Sequence, residues 1–101
     1  MIQAFTNITY QTAYADGSSK AFNDLNQLLN RVILPAYQSV GRSVTGLALI
    51  QVHRESVIAT YDVYSNHSEV TGISLVEFYK ETIRRSGAVA ANLGAQIPKP
   101  G

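Results

Sequence analysis

The chain has 101 residues, 46% of them hydrophobic and 15% charged, with 8 basic and 7 acidic side chains, a net charge of +1 and no cysteine. That length sets one domain burying roughly 65% of its unfolded surface, and the apolar content is too high for a disordered chain. Near-neutral charge excludes a bulk electrostatic footprint for nucleic acid, and the absence of cysteine excludes disulfides, thiolate metal sites and cysteine nucleophiles. No apolar run approaches the ~18 residues of a membrane span, and no signal peptide precedes the first strand. The chain opens almost inside a strand and ends Ile97-Pro98-Lys99-Pro100-Gly101. The expectation is a single domain, residues 1–101, cut from a longer protein.

Residues 2–11 favour a strand with Ala4, Thr6, Ile8 and Tyr10 on one face. Asp16-Gly17 marks a turn within a loop over 14–19, and Ser18 or Ser19 offers an N-cap to a helix. Phe22, Leu25, Leu29, Val32 and Ala36 recur at steps of three or four, widened by Leu28 and Ile33, which is the apolar stripe of an amphipathic helix. Pro35 removes a donor and clashes one turn back, so Leu34 is the expected helix boundary. A loop over 37–45 follows. The strongest strand signal is the stretch 46–64. Its first half sets Ala48, Ile50 and Val52 on one face and Leu47, Leu49 and Gln51 on the other. Its second half sets Val57, Ala59, Tyr61 and Val63 against Ile58, Thr60, Asp62 and Tyr64. The turn between them, Arg54-Glu55-Ser56, contains no Gly, Asn or Asp, the residues that supply φ > 0 in a tight hairpin.

After a polar loop over 65–72, Ser74-Leu75-Val76-Glu77 fits a capping box, with Ile73 and Phe78 as the hydrophobic staple around it. Leu75, Val76, Tyr79 and Ile83 are the expected buried stripe of this second helix. Glu81 and Arg85 are spaced for an i,i+4 pair worth only ~0.3 kcal/mol. Gly87 is a candidate C-cap, although 88–93 has the propensity to continue the helix. Ala95-Gln96-Ile97 supplies at most one short closing strand, with a linker to residue 101. The predicted order is β-α-β-β-α-(β): an α+β, ferredoxin-like sandwich with an antiparallel sheet packed on two helices.

Four pieces in this order carry a family resemblance: a first strand ending Asn7-Ile8-Thr9-Tyr10; the loop Tyr14-Ala15-Asp16-Gly17-Ser18-Ser19; a helix running from Lys20-Ala21-Phe22-Asn23-Asp24-Leu25 to Ile33-Leu34-Pro35-Ala36-Tyr37; and a hairpin carrying Ser56-Val57-Ile58-Ala59-Thr60-Tyr61-Asp62-Val63. Over residues 3–86 the chain resembles the SEA domain, an extracellular module of mucins, proteoglycans, adhesion receptors and membrane-anchored proteases. Many members of that family cut themselves between a Gly and the Ser that opens the second hairpin strand. The Ser hydroxyl attacks the preceding carbonyl in an N→O acyl shift driven by turn strain, and water hydrolyses the ester. The resemblance places Ser56 at the nucleophile and Val57-Ile58-Ala59 in the apolar run after it. Glu55 stands where the Gly belongs, and a Glu would let the turn relax. The expectation is no self-cleavage, no catalytic residue and no cofactor.

Two sequons, Asn7-Ile8-Thr9 and Asn66-His67-Ser68, are candidate glycan acceptors once the resemblance is granted. His53, Asp62 and His67 are too scattered for a metal or acid–base site, which needs three or more convergent ligands. Arg84-Arg85 reads as a helix end favouring its dipole, with a phosphate or sulfated-glycan contact as the alternative. The tyrosines read as core or edge packing. The resemblance implies a non-catalytic folded spacer or association unit in a glycosylated cell-surface or matrix protein, with a membrane-anchored parent. Its partners would be glycans or another protein chain, with self-association through a sheet edge and no role for nucleic acid. Two alternatives stand beside it. One is a module that still cleaves between Glu55 and Ser56; the other is a cytosolic ferredoxin-like module that senses a ligand or assembles.

Overall fold

The computed structural model describes residues 1–40, 43–55, 57–66, 74–86 and 92–99. The elements run β1 (Ile2–Ala4), a single 3-10 turn (Thr12–Ala15), α1 (Lys20–Val32), α2 (Leu34–Val40), β2 (Val44–His53), β3 (Ile58–Ser65) and α3 (Leu75–Ser86). The fold is a small α+β unit. A three-stranded antiparallel sheet in the order β1-β3-β2 carries the helices on one face.

The start of α1 follows from its cap. The Asp16 carboxylate accepts the Ser18 N–H at 2.9 Å and the Ser18 hydroxyl at 2.7 Å, closing the turn before the helix. The Ser19 hydroxyl oxygen then accepts the Phe22 N–H at 3.2 Å, which satisfies one of the orphan donors of the first turn. Phe22, Leu25, Leu29, Val32, Ile33 and Ala36 are buried as their spacing predicts. Pro35 interrupts the helix without ending it. It cannot donate to the carbonyl of Arg31, and the chain answers by turning the Ala36 and Tyr37 N–H groups onto Ile33 O at 3.1 and 3.4 Å. Helix therefore resumes through Val40, and Tyr37, expected in a loop, is fully buried in α2.

Three further expectations are corrected. The first strand stops near Phe5 instead of Gln11, and Gln3 and Phe5 form its inward face, opposite to Ala4. In β2 the alternation changes face, because Leu49 pairs with Tyr61 and Gln51 with Thr60, leaving Ile50 as the extra residue of a β-bulge. Leu47, Leu49 and Val52 are consequently the buried set, and Ile50 is 52% exposed. In α3 the buried positions are Phe78 and Thr82; Val76 and Ile83, expected inside, are 54% and 40% exposed. The helix is rolled so that Phe78 stacks on Tyr37 with ring centroids 3.9 Å apart. The Ser74 hydroxyl accepts the Glu77 N–H at 3.3 Å as the capping box requires. The staple residue Ile73 and the candidate cap Gly87 lie outside the described residues.

The closing segment lies along the free edge of β1. Ile2 and Lys99 exchange both backbone bonds at 2.8 and 2.7 Å, Phe5 bridges Ala95, and Gln96 N donates to Ala4 O at 3.0 Å. Pro98 and the short run keep this contact to bridges. Its anchor is Gly94, at φ +64, where an added Cβ would run into Thr6 Oγ1 and lie 3.0 Å from Asn7 N. We expect Gly94→Ala to lower stability by roughly 1–3 kcal/mol, the usual cost of forcing a side chain into the left-handed region. Urea unfolding measures it, and an unchanged midpoint would show that this position tolerates a Cβ.

Candidate functional site

The hairpin turn is the stretch that the sequence singles out. His53 and Ile58 form the last pair of the ladder, so residues 54–57 make the loop. Arg54 and Glu55 are exposed, and Ser56 lies outside the described residues. Among the described residues, Val57 is the one non-glycine with positive φ, at +38. A β-branched side chain is a poor occupant of that region. Its cost, of order 1–3 kcal/mol, persists only where the surroundings over-determine the conformation. They do so here. The Val57 side chain is buried in the core, and its carbonyl accepts the Phe5 N–H at 2.9 Å. The turn chemistry left no Gly, Asn or Asp to absorb φ > 0. The strain falls on the residue after Ser56, not on Glu55, where a relaxed turn was expected.

The turn is also braced from outside. The Arg54 guanidinium sits 5.4 Å from the centroid of the Tyr10 ring, and Tyr10 meets Tyr14 edge to face at 5.8 Å. A groove of about 310 Å³ opens beside this contact, bounded by Tyr10, Tyr14, Phe22 and the strand segment 50–54. A larger and mainly apolar groove of about 610 Å³ lies on the other side of Tyr14, against Ile8, Leu25, Leu28 and Leu93, with the ion pair between Lys20 and Asp24 at its rim.

The sequon asparagines Asn7 and Asn66 are both exposed. The Asn66 N–H donates to Ser43 O at 3.1 Å and the Asn7 N–H to Leu93 O at 3.1 Å, so the backbone of each is tied and the side chain faces outward from an ordered frame. Among the described residues His53 reaches only Thr60 Oγ1, at 3.5 Å, Asp62 is exposed, and His67 lies outside the described residues. Among the described residues no cluster of three or more His, Asp or Glu could hold a metal ion, and no helix is long and apolar enough to cross a membrane.

Arg84 and Arg85 do not present two free cations. Both bond Glu81, Arg84 through two contacts at 2.8 and 3.0 Å and Arg85 at 3.1 Å. Ser39 Oγ, at the end of α2, donates to the same carboxylate at 3.0 Å, so Glu81 ties α3 to α2. The bonds from Arg84 and Ser39 hold its pKa down at about 2. In the core, Tyr37 and Tyr61 are pushed above the ordinary tyrosine value by burial. Their hydroxyls are hydrogen-bonded to each other at 2.8 Å, a pair that sequence reasoning missed. Position 61 shows its inward face in the alternation, but nothing local to residue 37 announces a partner 24 residues away.

No family model and no curated protein matches this chain. The site is therefore argued from its own residues.

The titrations set a stability window. Glu81, depressed in the folded state, contributes stability that is complete above its ordinary value of 4.5 and is lost as pH falls through about 2. Tyr37 and Tyr61, raised in the folded state, contribute stability that is complete below 10.0 and is lost as pH rises past it. Urea midpoints measured against pH should be flat between these limits and fall outside them. Glu81→Gln should make the acid limb shallower, the remainder belonging to Asp16, which its bonds from Ser18 hold below its ordinary value, and should leave the alkaline limb unchanged; an unchanged acid limb would contradict the role given to the α2–α3 tie.

Proposed function

We propose that this chain is a non-catalytic SEA-like extracellular module, uncleaved, serving as a folded spacer or association unit within a glycosylated cell-surface or matrix protein. The observation that carries this reading is the strand arrangement. β3 lies between β1 and β2, all antiparallel, and residues 95–99 bridge the other edge of β1. That order supports a ferredoxin-like β-α-β-β-α-β path with a minimal last strand. Because a fold hosts many functions, the second support comes from the surface, where Asn7 and Asn66 are exposed on anchored backbone. The bridged β1 edge leaves β2 as the other edge, open to self-association or to another chain. Even there the Leu49 N–H is taken by Asn26 Oδ1 at 2.9 Å.

One observation favours a second reading, the self-processing module. Strain is stored at Val57, directly after Ser56. In that reading the Ser56 hydroxyl adds to the Glu55 carbonyl, the C–N bond to Ser56 breaks as its nitrogen takes up a proton, and water hydrolyses the ester to a Glu55 carboxylate. The two halves would stay joined through the ladder of β3 with β1 and β2. Intact mass under denaturing conditions, on the chain secreted from animal cells, separates the readings. The expected result is a single chain that loses hexose-rich mass on deglycosylation. Fragments 1–55 and 56–101 that vanish in Ser56→Ala would establish self-processing. A single chain with no glycan would remove the main support for an extracellular module and favour the cytosolic sensing or assembly reading.

A further inference from the structure

The two edges of the sheet are finished differently. Residues 95–99 bridge the outer edge of β1, and among the described residues no strand lies beyond β2. β2 lacks the side chains that usually discourage an edge from pairing: Val44–His53 contains no Lys, Arg, Asp, Glu or Pro. Its longest regular stretch, 46–49, lies between two irregularities in the ladder.

The ladder fixes which backbone groups face out. Tyr61 gives its N–H to Met1 O at 2.9 Å and its carbonyl accepts the Met1 ammonium at 2.7 Å, so both point to β1. Leu49, paired with Tyr61, must therefore turn its own N–H and carbonyl away from β3, and Leu47, two residues earlier, does the same. Among the described residues nothing hydrogen-bonds Leu47 on that side. Leu49 is different, because its N–H meets Asn26 Oδ1 at 2.9 Å. The Asn26 carboxamide, reaching from the half-buried flank of α1, stands where the carbonyl of a neighbouring strand would stand. Asn30, one turn on, holds it there: its Nδ2 donates to Asn26 O at 2.8 Å and to Asn26 Oδ1 at 3.3 Å. Gln38 Nε2 approaches Val44 O only at 3.5 Å, so Asn26 is the firm closure of this edge.

We propose that β2 is a pairing edge for a second copy of this chain and that the Asn26 carboxamide is the latch that keeps it shut. The occupant follows from the strand. Antiparallel pairing about a two-fold axis at Leu47 sets its N–H and carbonyl against the same groups of the copy. It also sets Gly46 against Ala48, a pair with almost no side chain to hold the backbones apart. An uncharged strand does not repel its own copy. Because the other edge is bridged, two copies use up the free edges and the assembly closes at a dimer. With the latch closed, the Leu49 N–H that would bond Thr45 of the copy is already taken, and the ladder cannot extend past Leu47. This deepens the association role proposed above and rests on it; the test reads neither glycan nor cleavage, so the two can fail separately.

Light-scattering mass after size exclusion, paired with amide hydrogen exchange, tests it on the 101-residue chain. The parent should run as one chain of 11.0 kDa. Its Leu49 amide should exchange at least ~10-fold more slowly than its Leu47 amide, the one lacking an acceptor. Asn26→Ala should tighten self-association at least ~10-fold and give twice the mass. Asn30→Ala, which loosens the latch without removing it, should fall between. Asn26→Asp keeps an acceptor for Leu49 and should stay a single chain. Adding Ala48→Lys to Asn26→Ala should restore the single chain. It sets like charges beside each other across the two-fold, while within one copy the new cation faces Asp62 across the ladder. A dimeric parent, equal exchange of the two amides, or a folded Asn26→Ala that stays a single chain would overturn the proposal. So would association of Asn26→Ala that Ala48→Lys leaves intact. If Asn26→Ala does not fold, Asn30→Ala carries the test, and self-association no tighter than the parent's would overturn it as well.

Discussion

The structure depends on one buried hydroxyl. Tyr61 Oη, fully buried on β3, donates to Gln3 Oε1 on β1 at 2.8 Å, and because its single proton is used there, the 2.8 Å contact with Tyr37 must be a donation from Tyr37. Gln3 Nε2 passes the chain on to the Gln96 carbonyl at 2.7 Å. One polar path therefore runs from α2 through two strands to the closing segment. Tyr37 carries it into the second layer, where its ring stacks on Phe78 of α3. Each member would be costly to bury alone, since an unpaired polar group in the core loses roughly 1–3 kcal/mol. Together they are satisfied, and among the described residues no buried side-chain polar atom lacks a partner.

The same residue fixes the hairpin. Tyr61 pairs with Leu49 across the ladder, and its own N–H and carbonyl engage the Met1 residue at 2.9 and 2.7 Å. With β3 held in that register, Ala59 and Val57 must point into the core, and Val57 takes the positive φ that the turn demands. Core packing thus overrides local backbone preference at the hairpin turn. A hairpin held by its core can carry strain without relaxing it, which is the physical setting both readings of the turn share.

Much of this was legible in the sequence. The alternation from Val57 to Val63 and the stripe from Phe22 to Ala36 named their buried faces correctly, the second because the helix resumes after Pro35 with its apolar face still toward the core. β2 did not, since one extra residue at Ile50 shifts the phase and a bulge leaves no compositional mark. α3 carries apolar residues on several faces, and the choice of Phe78 was made by a tertiary partner, Tyr37, that the Pro35 boundary had placed in a loop. The role of Gln3 was not read at all, because its partner lies 58 positions away. The turn was misjudged: the missing Gly, Asn and Asp marked it as unusual, but Glu55 was expected to let it relax, and the positive φ at Val57 is set by burial that the local sequence does not show. The groove was invisible for the same reason, as Tyr10 and Arg54 meet only in the fold.

Hydrogen exchange on Tyr61→Phe, read together with urea unfolding, tests the central place of that hydroxyl most directly. The substitution keeps the ring and its packing but strips Gln3 Oε1 of its donor and the Tyr37 hydroxyl of its acceptor. A global loss of roughly 1–3 kcal/mol, with faster exchange of the Ile2, Gln96 and Lys99 amides than of those within α1, would show that the path holds the closing segment to the core. Parental stability with unchanged exchange at those three amides would contradict it, and the core would then be held by apolar packing alone.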